Sequence, residues 1–474
     1  MTKTPHQSHS SLTTVMTRSV LSIAIISALY SQTAIANPSG AQIVNGQVSI
    51  VQGQGITNIT NSPGAIINWQ DFSIKQGEIT RFIQQNSQSA VLNRVIGQNP
   101  SQLLGSLISN GQVFIINPNG VLFGANSVID TQGLLTSTLN LSNQDFLSGN
   151  YHFIAGSDAG NITNEGVIRT GQDGNIVLIA PDIENNGIIQ TDGGQIVLAA
   201  GQELILTSLD DPQIRFQVQA PDNAVLNLGQ VLTNGGAIDL FAGTISHSGE
   251  VNSENLILDA SGNITFTAQA DIRLTENSVT SADNAAGSAG DIRLEAKNIA
   301  LLDQSTLSVD GQTGGGEILI GGDYQGKNPD INNANNTFVG KEVSISADAK
   351  NNGDGGTVIV WADETTEFHG AISATGGTES GDGGFAEVSG KEHLQMTGSA
   401  ELTATNGDFG SLLLDPGAIT IQDGDGTNKG LDSFDDAYIV TQLGTGNLII
   451  ATGAATAGME TITVNGDVDV TWAN

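Results

Sequence analysis

The 474-residue chain has no cysteine, so neither disulfides nor thiolate chemistry can underlie its fold or its function. For a chain that crosses a membrane unfolded, that absence also avoids premature cross-links. Aromatic residues make up only 4%, too few for a conventional aromatic-rich globular core. There are 10 prolines against 60 glycines, with no collagen period and no long Pro-rich segment, so glycine punctuates short elements and builds neither fibre nor linker. Lys and Arg total 15 against 49 Asp and Glu, a formal charge of −34. That balance excludes nucleic acid as a partner held through its phosphates. No apolar run after residue 36 approaches the roughly 20 residues that span a bilayer.

What is present begins with a leader. Lys3 and Arg18 occur without any acid, Val20 to Leu29 is apolar, and Ala34-Ile35-Ala36 supplies small residues before Asn37. This pattern reads as a secretory signal peptide over residues 1–36, handled by the Sec export machinery. The acid is unevenly spread. Residues 37–220 carry 5 basic and 13 acidic side chains, whereas residues 221–474 carry 8 and 36. A solvated acidic face is the simplest reading of the second half, with cation binding or adhesion to basic surfaces as the functional alternatives.

Alternation of apolar and polar residues over Ile43 to Val51 and Ile56 to Ile59 predicts the first strands of a half-buried sheet. From Gly160 onward an internal repeat emerges. Asn161-Ile162-Thr163-Asn164-Glu165-Gly166-Val167-Ile168 returns after 21 residues as Asp182-Ile183-Glu184-Asn185-Asn186-Gly187-Ile188-Ile189, and Gly174 to Leu178 returns after 20 as Gly194 to Leu198. Asp271-Ile272-Arg273-Leu274 recurs as Asp291-Ile292-Arg293-Leu294. Gly-led apolar strands follow at Gly316, Gly356 and Gly410. Several short strands in a unit of about 20 residues describe one coil of a β-solenoid, in which each coil covers the open backbone and apolar face of its neighbour. The fold class is therefore all-β, with about twenty coils expected on that period. Stacking at a shift of 20 would also set Asp271/Arg273 against Asp291/Arg293 as a lateral charge ladder. Two segments interrupt the repeat: Thr207 to Asn223, with Asp210-Asp211-Pro212 disfavouring a central strand, and the Asn-rich Asn328 to Asn336. Both read as surface excursions.

The most distinctive stretch is Asn110 to Gly124, NGQVFIINPNGVLFG. Val113 to Ile116 and Val121 to Phe123 suit strands, and Asn117-Pro118-Asn119-Gly120 supplies turn chemistry between them. Together with Ala65-Ile66-Ile67-Asn68-Trp69, Phe72, Asn93-Arg94-Val95 and Asn99-Pro100-Ser101, this stretch resembles the amino-terminal secretion domain of two-partner secretion exoproteins, the filamentous haemagglutinin-like family. The close match runs from about Gly64 to Gly149; the family's second motif, Asn-Pro-Asn-Leu, is absent in that spelling. The resemblance implies a right-handed parallel β-helix with an N-terminal cap and extra-helical strands. It also implies export across a Gram-negative-type envelope, through the periplasm, by an outer-membrane TpsB-type transporter with POTRA domains. Asn117, Pro118, Asn119 and Gly120 are then the candidate secretion determinants, acting by direct contact with the transporter or by shaping a turn that folding requires. The implied product is a secreted or cell-surface adhesin whose host or neighbouring-cell receptor the sequence does not name.

The division expected is a signal peptide over 1–36, a secretion domain over 37–270, and an acidic Gly/Asn-rich β-helical region over 271–474. Asp467 to Asn474 still looks like a strand, which fits either a short family member or the amino-terminal part of a longer exoprotein. Chemistry is sparse. His6, His9, His152, His247, His369 and His393 are scattered without metal-ligand spacing or a nucleophile motif. Asp423 and Asp425 lie in a weak calcium-loop pattern in which Asn428 stands where Gly is expected. No cofactor is expected. The alternative function is a secreted β-helical polysaccharide-degrading enzyme, since a solenoid groove can hold a glycan among acids.

Overall fold

The computed structural model describes residues 38–209, 214–218, 222–254, 262–428, 430–453 and 461–471, with the backbone alone for 214–218. Residues 1–36, expected to be a signal peptide, Asp210 to Pro212 and Trp472 to Asn474 fall outside this set, and Asp467 to Thr471 carry no strand.

The chain forms a right-handed parallel β-helix with three faces. One coil runs through Ser101–Leu103, Ser106–Ser109 and Gln112–Ile116, and the next through Val121–Phe123, Val128–Thr131 and Gly133–Ser137. Each strand pairs in parallel with its equivalent one coil away. We call the face bearing Gln112–Ile116 face 1, that bearing Val121–Phe123 face 2, and that bearing Val128–Thr131 face 3. Face 3 is a 14-stranded sheet. Faces 1 and 2 merge into one 24-stranded sheet because Ile238–His247 and Ile264–Leu274 run on across the corner between them. The N-terminal cap is antiparallel: Gln42–Asn45 lies on Ala65–Trp69, and Val48–Gln52 on Ile56–Asn61. Such a cap turns an open strand edge away from further pairing.

Alternation decides what enters the helix. On face 3, Ile129, Ile168, Ile189, Val231 and Val251 align in register from coil to coil and are fully buried. From Ile129 to Val251 each coil contributes one apolar side chain to this stack, and the buried Thr280 takes the equivalent place in the next coil.

The repeat period corrects the sequence expectation. Ile162 pairs with Ile183 and Ile176 with Ile196, as the shifts of 21 and 20 predict. From Ile264 onward the coils lengthen, so that Asp271 pairs with Asn298 and Ile264 with Ile292. Among the described residues face 3 has one strand per coil, so its 14 strands, the cap strand included, set fewer coils there than the twenty expected. The Asp271/Arg273 and Asp291/Arg293 ladder does not form either. Asp271 lies on face 2 and takes a hydrogen bond from Asn298 Nδ2 at 2.9 Å, while Asp291 lies on face 1 and Arg293 pairs with Glu295 at 2.8 Å.

Two segments cover the outside of face 1. Asn140–Leu141, Tyr151–Ile154, Glu203–Leu206 and Ile214–Val218 form an antiparallel extra-helical sheet, flanked by the helix Asn143–Ser148. Leu141, Phe146, Phe153, Leu204 and Leu206 bury the outward side chains Ile66, Leu92, Phe114, Leu135, Val177 and Val197. Of the excursion predicted at Thr207 to Asn223, Leu209 is buried in this second core and Ile214–Val218 adds a strand to the extra-helical sheet. Further on, Ile331 of the Asn-rich excursion packs on Leu319, Ile359 and Trp361, so that segment is a cover and more than a decoration.

Candidate functional site

The corner Asn117 to Gly120 carries the chain from face 1 to face 2. Pro118 presets φ, and Asn117 O accepts from Gly120 N at 3.1 Å, closing a β-turn. Within it Asn117 Oδ1 takes hydrogen bonds from Asn119 N at 3.0 Å and Asn119 Nδ2 at 2.9 Å, an Asx turn. Gly120 sits at φ +114°, a conformation that L side chains rarely adopt.

The corner is also fastened to both neighbouring coils. Asn117 is fully buried, and its Nδ2 donates to Asn99 O at 3.1 Å and to Ser101 Oγ at 3.0 Å, both on the preceding coil. Asn119 Nδ2 donates to Gly97 O at 3.0 Å. On the other side, Gly160 N donates to Pro118 O at 2.8 Å and Val121 N to Asn161 O at 3.1 Å. A Cβ at Gly160 would stand 2.6 Å from Asn119 C and O, so only glycine lets the following coil close over the corner.

The structure therefore unites the four predicted residues in one turn but divides their exposure: Asn117 and Gly120 are buried, Pro118 is partly covered, and Asn119 faces solvent. The partners Gly97, Asn99, Ser101 and Gly160 were not foreseen as a group, because they converge only once coils stack. Asn93 is likewise fully buried, accepting from Trp69 Nε1 at 3.0 Å and donating to Phe114 O at 3.2 Å. Arg94, beside it, donates to Asn143 Oδ1 and Leu141 O, both at 2.5 Å, and so ties the extra-helical segment to face 1.

The Asp423/Asp425 loop is organised otherwise than a calcium loop. Asp435 Oδ2 accepts from the amides of Gly426 and Thr427 at 3.1 Å each and of Asn428 at 3.3 Å. Asp425 Oδ1 accepts from Thr427 N at 3.2 Å and its Oγ1 at 2.5 Å. Backbone donors converge here on a carboxylate, the electrostatic inverse of a cation cage. Among the described residues no group of three or more His, Asp or Glu side chains gathers to hold a metal ion.

The chain as a whole has counterparts among known proteins. The model of the TPS secretion domain covers residues 34–294, more than half of the chain. The chain belongs to the TPS secretion domain family. The crystal structure of the HMW1 secretion domain from Haemophilus influenzae superposes with a TM-score of 0.74 at 35% identity, covering 80% of this chain and 100% of that one. A heme/hemopexin-binding protein of Haemophilus influenzae is 32% identical over 201 residues, 41% of this chain and 22% of the relative. A second heme/hemopexin-binding protein of Haemophilus influenzae is 37% identical over 106 residues, 22% of this chain and 11% of the relative. The chain thus aligns with only a minor part of these relatives' length. It carries the TPS secretion domain of a two-partner secretion exoprotein, exported through an outer-membrane transporter to the outside or the surface of the cell. The relatives are named for binding and secretion, which gives the polysaccharide-degrading alternative no support.

Proposed function

We propose that residues 1–36 direct Sec export, that residues 37–270 are read by the POTRA domains of a TpsB-type transporter, and that residues 271–474 belong to a passenger that binds ligands or cells at the surface. Within the secretion domain, the Asn117 to Gly120 corner acts by shaping the coil. The buried Asn117 amide, bonded to Asn99 and Ser101 on the coil before, supports this role most directly: its polar groups are spent inside the protein. Coils that rest on sequence neighbours can form one after another as the chain emerges, and folding outside then opposes backsliding. The relatives' names, heme/hemopexin-binding, support a passenger that acts by binding.

Co-expression with and without the transporter tests this. Asn117→Ala is expected to reduce transporter-dependent release together with the stability of the refolded chain, while Asn119→Ala, at an exposed position, retains most release. Loss of release in Asn119→Ala with unchanged refolding would establish direct recognition and overturn the shaping role.

A further inference from the structure

Outward side chains on face 2 form two parallel rows where the helix enters its acidic half. Strand register places Arg273, Ala300, Phe338 and Glu367 in one row and Asp271, Asn298, Asn336 and Thr365 in the other. Most of the outward surface of the helix is polar, and Phe338 is a large aromatic that remains only partly buried there. Ala300 between Arg273 and Phe338 is small, and two strand spacings separate those residues, about 10 Å. The result is a depression of about 340 Å³ with Ala300 as its floor, Arg273 and Phe338 as opposite walls, and the amide row along one side.

The walls are held in place. The Phe338 ring packs against His369 with centroids 5.5 Å apart, and His369 is fixed by Thr397 Oγ1 at 2.7 Å and faces Glu367 at 3.8 Å. Asn298 Nδ2 donates to Asp271 Oδ1 at 2.9 Å, and Asn336 Nδ2 to Asn298 Oδ1 at 3.3 Å. That chain of bonds orients the amides and leaves further acceptors and N–H groups toward solvent. Arg273 is exposed and makes no ion pair among the described residues, although it lies in the acid-rich half of the chain.

We propose that this depression binds a neutral hexopyranose at the end of, or within, a cell-surface glycan. A pyranose offers an apolar C–H face and a rim of hydroxyls. Phe338 supplies the negatively polarised ring that C–H groups favour. Asp271 and Glu367 accept from hydroxyls, while Arg273 and the amides donate. The volume falls at the small end of ligand sites, which suits one or two sugar rings. The field of Asp271, Glu367 and the surrounding acids disfavours an anionic sugar. This site is independent of the secretion reading.

The test is saturation-transfer NMR on the secreted, transporter-exported chain with the methyl glycosides of galactose, glucose and mannose, alongside sialyllactose. At least one neutral glycoside is expected to receive saturation on one ring face. Phe338→Leu keeps apolar bulk and loses the aromatic face; Ala300→Leu fills the floor. Each is expected to weaken binding tenfold or more while leaving the melting temperature unchanged. Absence of neutral-sugar binding, binding of sialyllactose alone, or neutral-sugar binding that survives both substitutions overturns the proposal.

Discussion

Asn227 donates from Nδ2 to His247 Nδ1 across 3.2 Å inside the helix, and this contact closes a buried polar ladder. Asn164 Nδ2 donates to Asn185 Oδ1, and Asn185 Nδ2 to Asn227 Oδ1, each at 2.8 Å. His247 Nε2, 3.2 Å from Val279 O, then carries the proton, which fixes the neutral tautomer. Burial is the largest influence on this imidazole and pulls its pKa down to about 4, against hydrogen bonding at Val279 and Asn227.

The sign of the consequence follows. Between about pH 6.5 and 4 the unfolded chain binds a proton at His247 that the folded chain refuses, so the contribution to stability is full above pH 6.5 and declines as pH falls toward 4. The span is on the order of 3 kcal/mol. Replacing His247 with Asn prolongs the ladder and is expected to remove this decline, read as melting temperature against pH.

Glu387 produces the opposite slope. It lies fully buried on face 1, accepting from Gln325 N at 3.2 and 3.1 Å. Burial first, then the nearby Asp415 and Asp323, raise its pKa to about 7 against the Gln325 and Ser389 hydrogen bonds. The folded chain therefore holds a proton between about pH 4.5 and 7 that the unfolded chain has released, and stability falls as pH rises through that window. Glu387→Gln keeps an acceptor for Gln325 and is expected to stabilise the chain at pH 8 by up to about 3 kcal/mol. The two effects oppose each other in the wild type: His247→Asn leaves stability falling with pH, and Glu387→Gln leaves it rising. Equal profiles in the two variants would refute both assignments.

At the Asn117 to Gly120 corner, Gly160→Ala drives a methyl group into the Asn119 backbone, which is not a flexible side chain that can yield. A loss of roughly 1–3 kcal/mol is expected. Faster hydrogen exchange at Gly120 and Val121, whose amides bond at the corner, would report it locally. Gly149→Ala, where a Cβ meets nothing within 4 Å but φ is +70°, serves as the control for backbone strain alone and is expected to cost about 1 kcal/mol.

Much of the coil register was legible in the sequence. The Asn164/Asn185 echo and the Ile176/Ile196 echo are true stacking pairs, because in those coils the same residue types must meet at the same corner. The identical tetrapeptides at Asp271 and Asp291 misled because Ile264–Leu274 crosses a corner, so four matching letters occupy different faces. The turn at Asn117 was legible from Pro118 and Gly120, but the reach of its amide to Asn99 was not, since it depends on stacking. The roof over face 1 had a signal: Ile176–Ala180 and Ile196–Ala200 are apolar throughout and wholly buried, the mark of a strand covered on both sides.

The acidity of the second half has a structural component beyond solvation. Asp283 Oδ1 accepts from Asp310 N, Asp310 Oδ1 from Asp348 N, each at 2.7 Å, and Asp348 Oδ1 from Thr375 N at 2.8 Å. Each carboxylate thus satisfies an amide of the next coil at the corners that lengthen the repeat. Burial works against ionisation of Asp348, but the Ser373 hydroxyl, the Thr375 amide and Lys350 outweigh it and hold the carboxyl below its ordinary pKa. Its stabilising contribution is accordingly present above about pH 4 and lost as pH falls through the lowered folded value. Asp310→Asn retains the acceptor and is expected to leave the Asp348 amide protected from hydrogen exchange, whereas Asp310→Ala exposes it and costs about 1–3 kcal/mol. Equal protection in both variants would mean that these acids serve only as solvated surface.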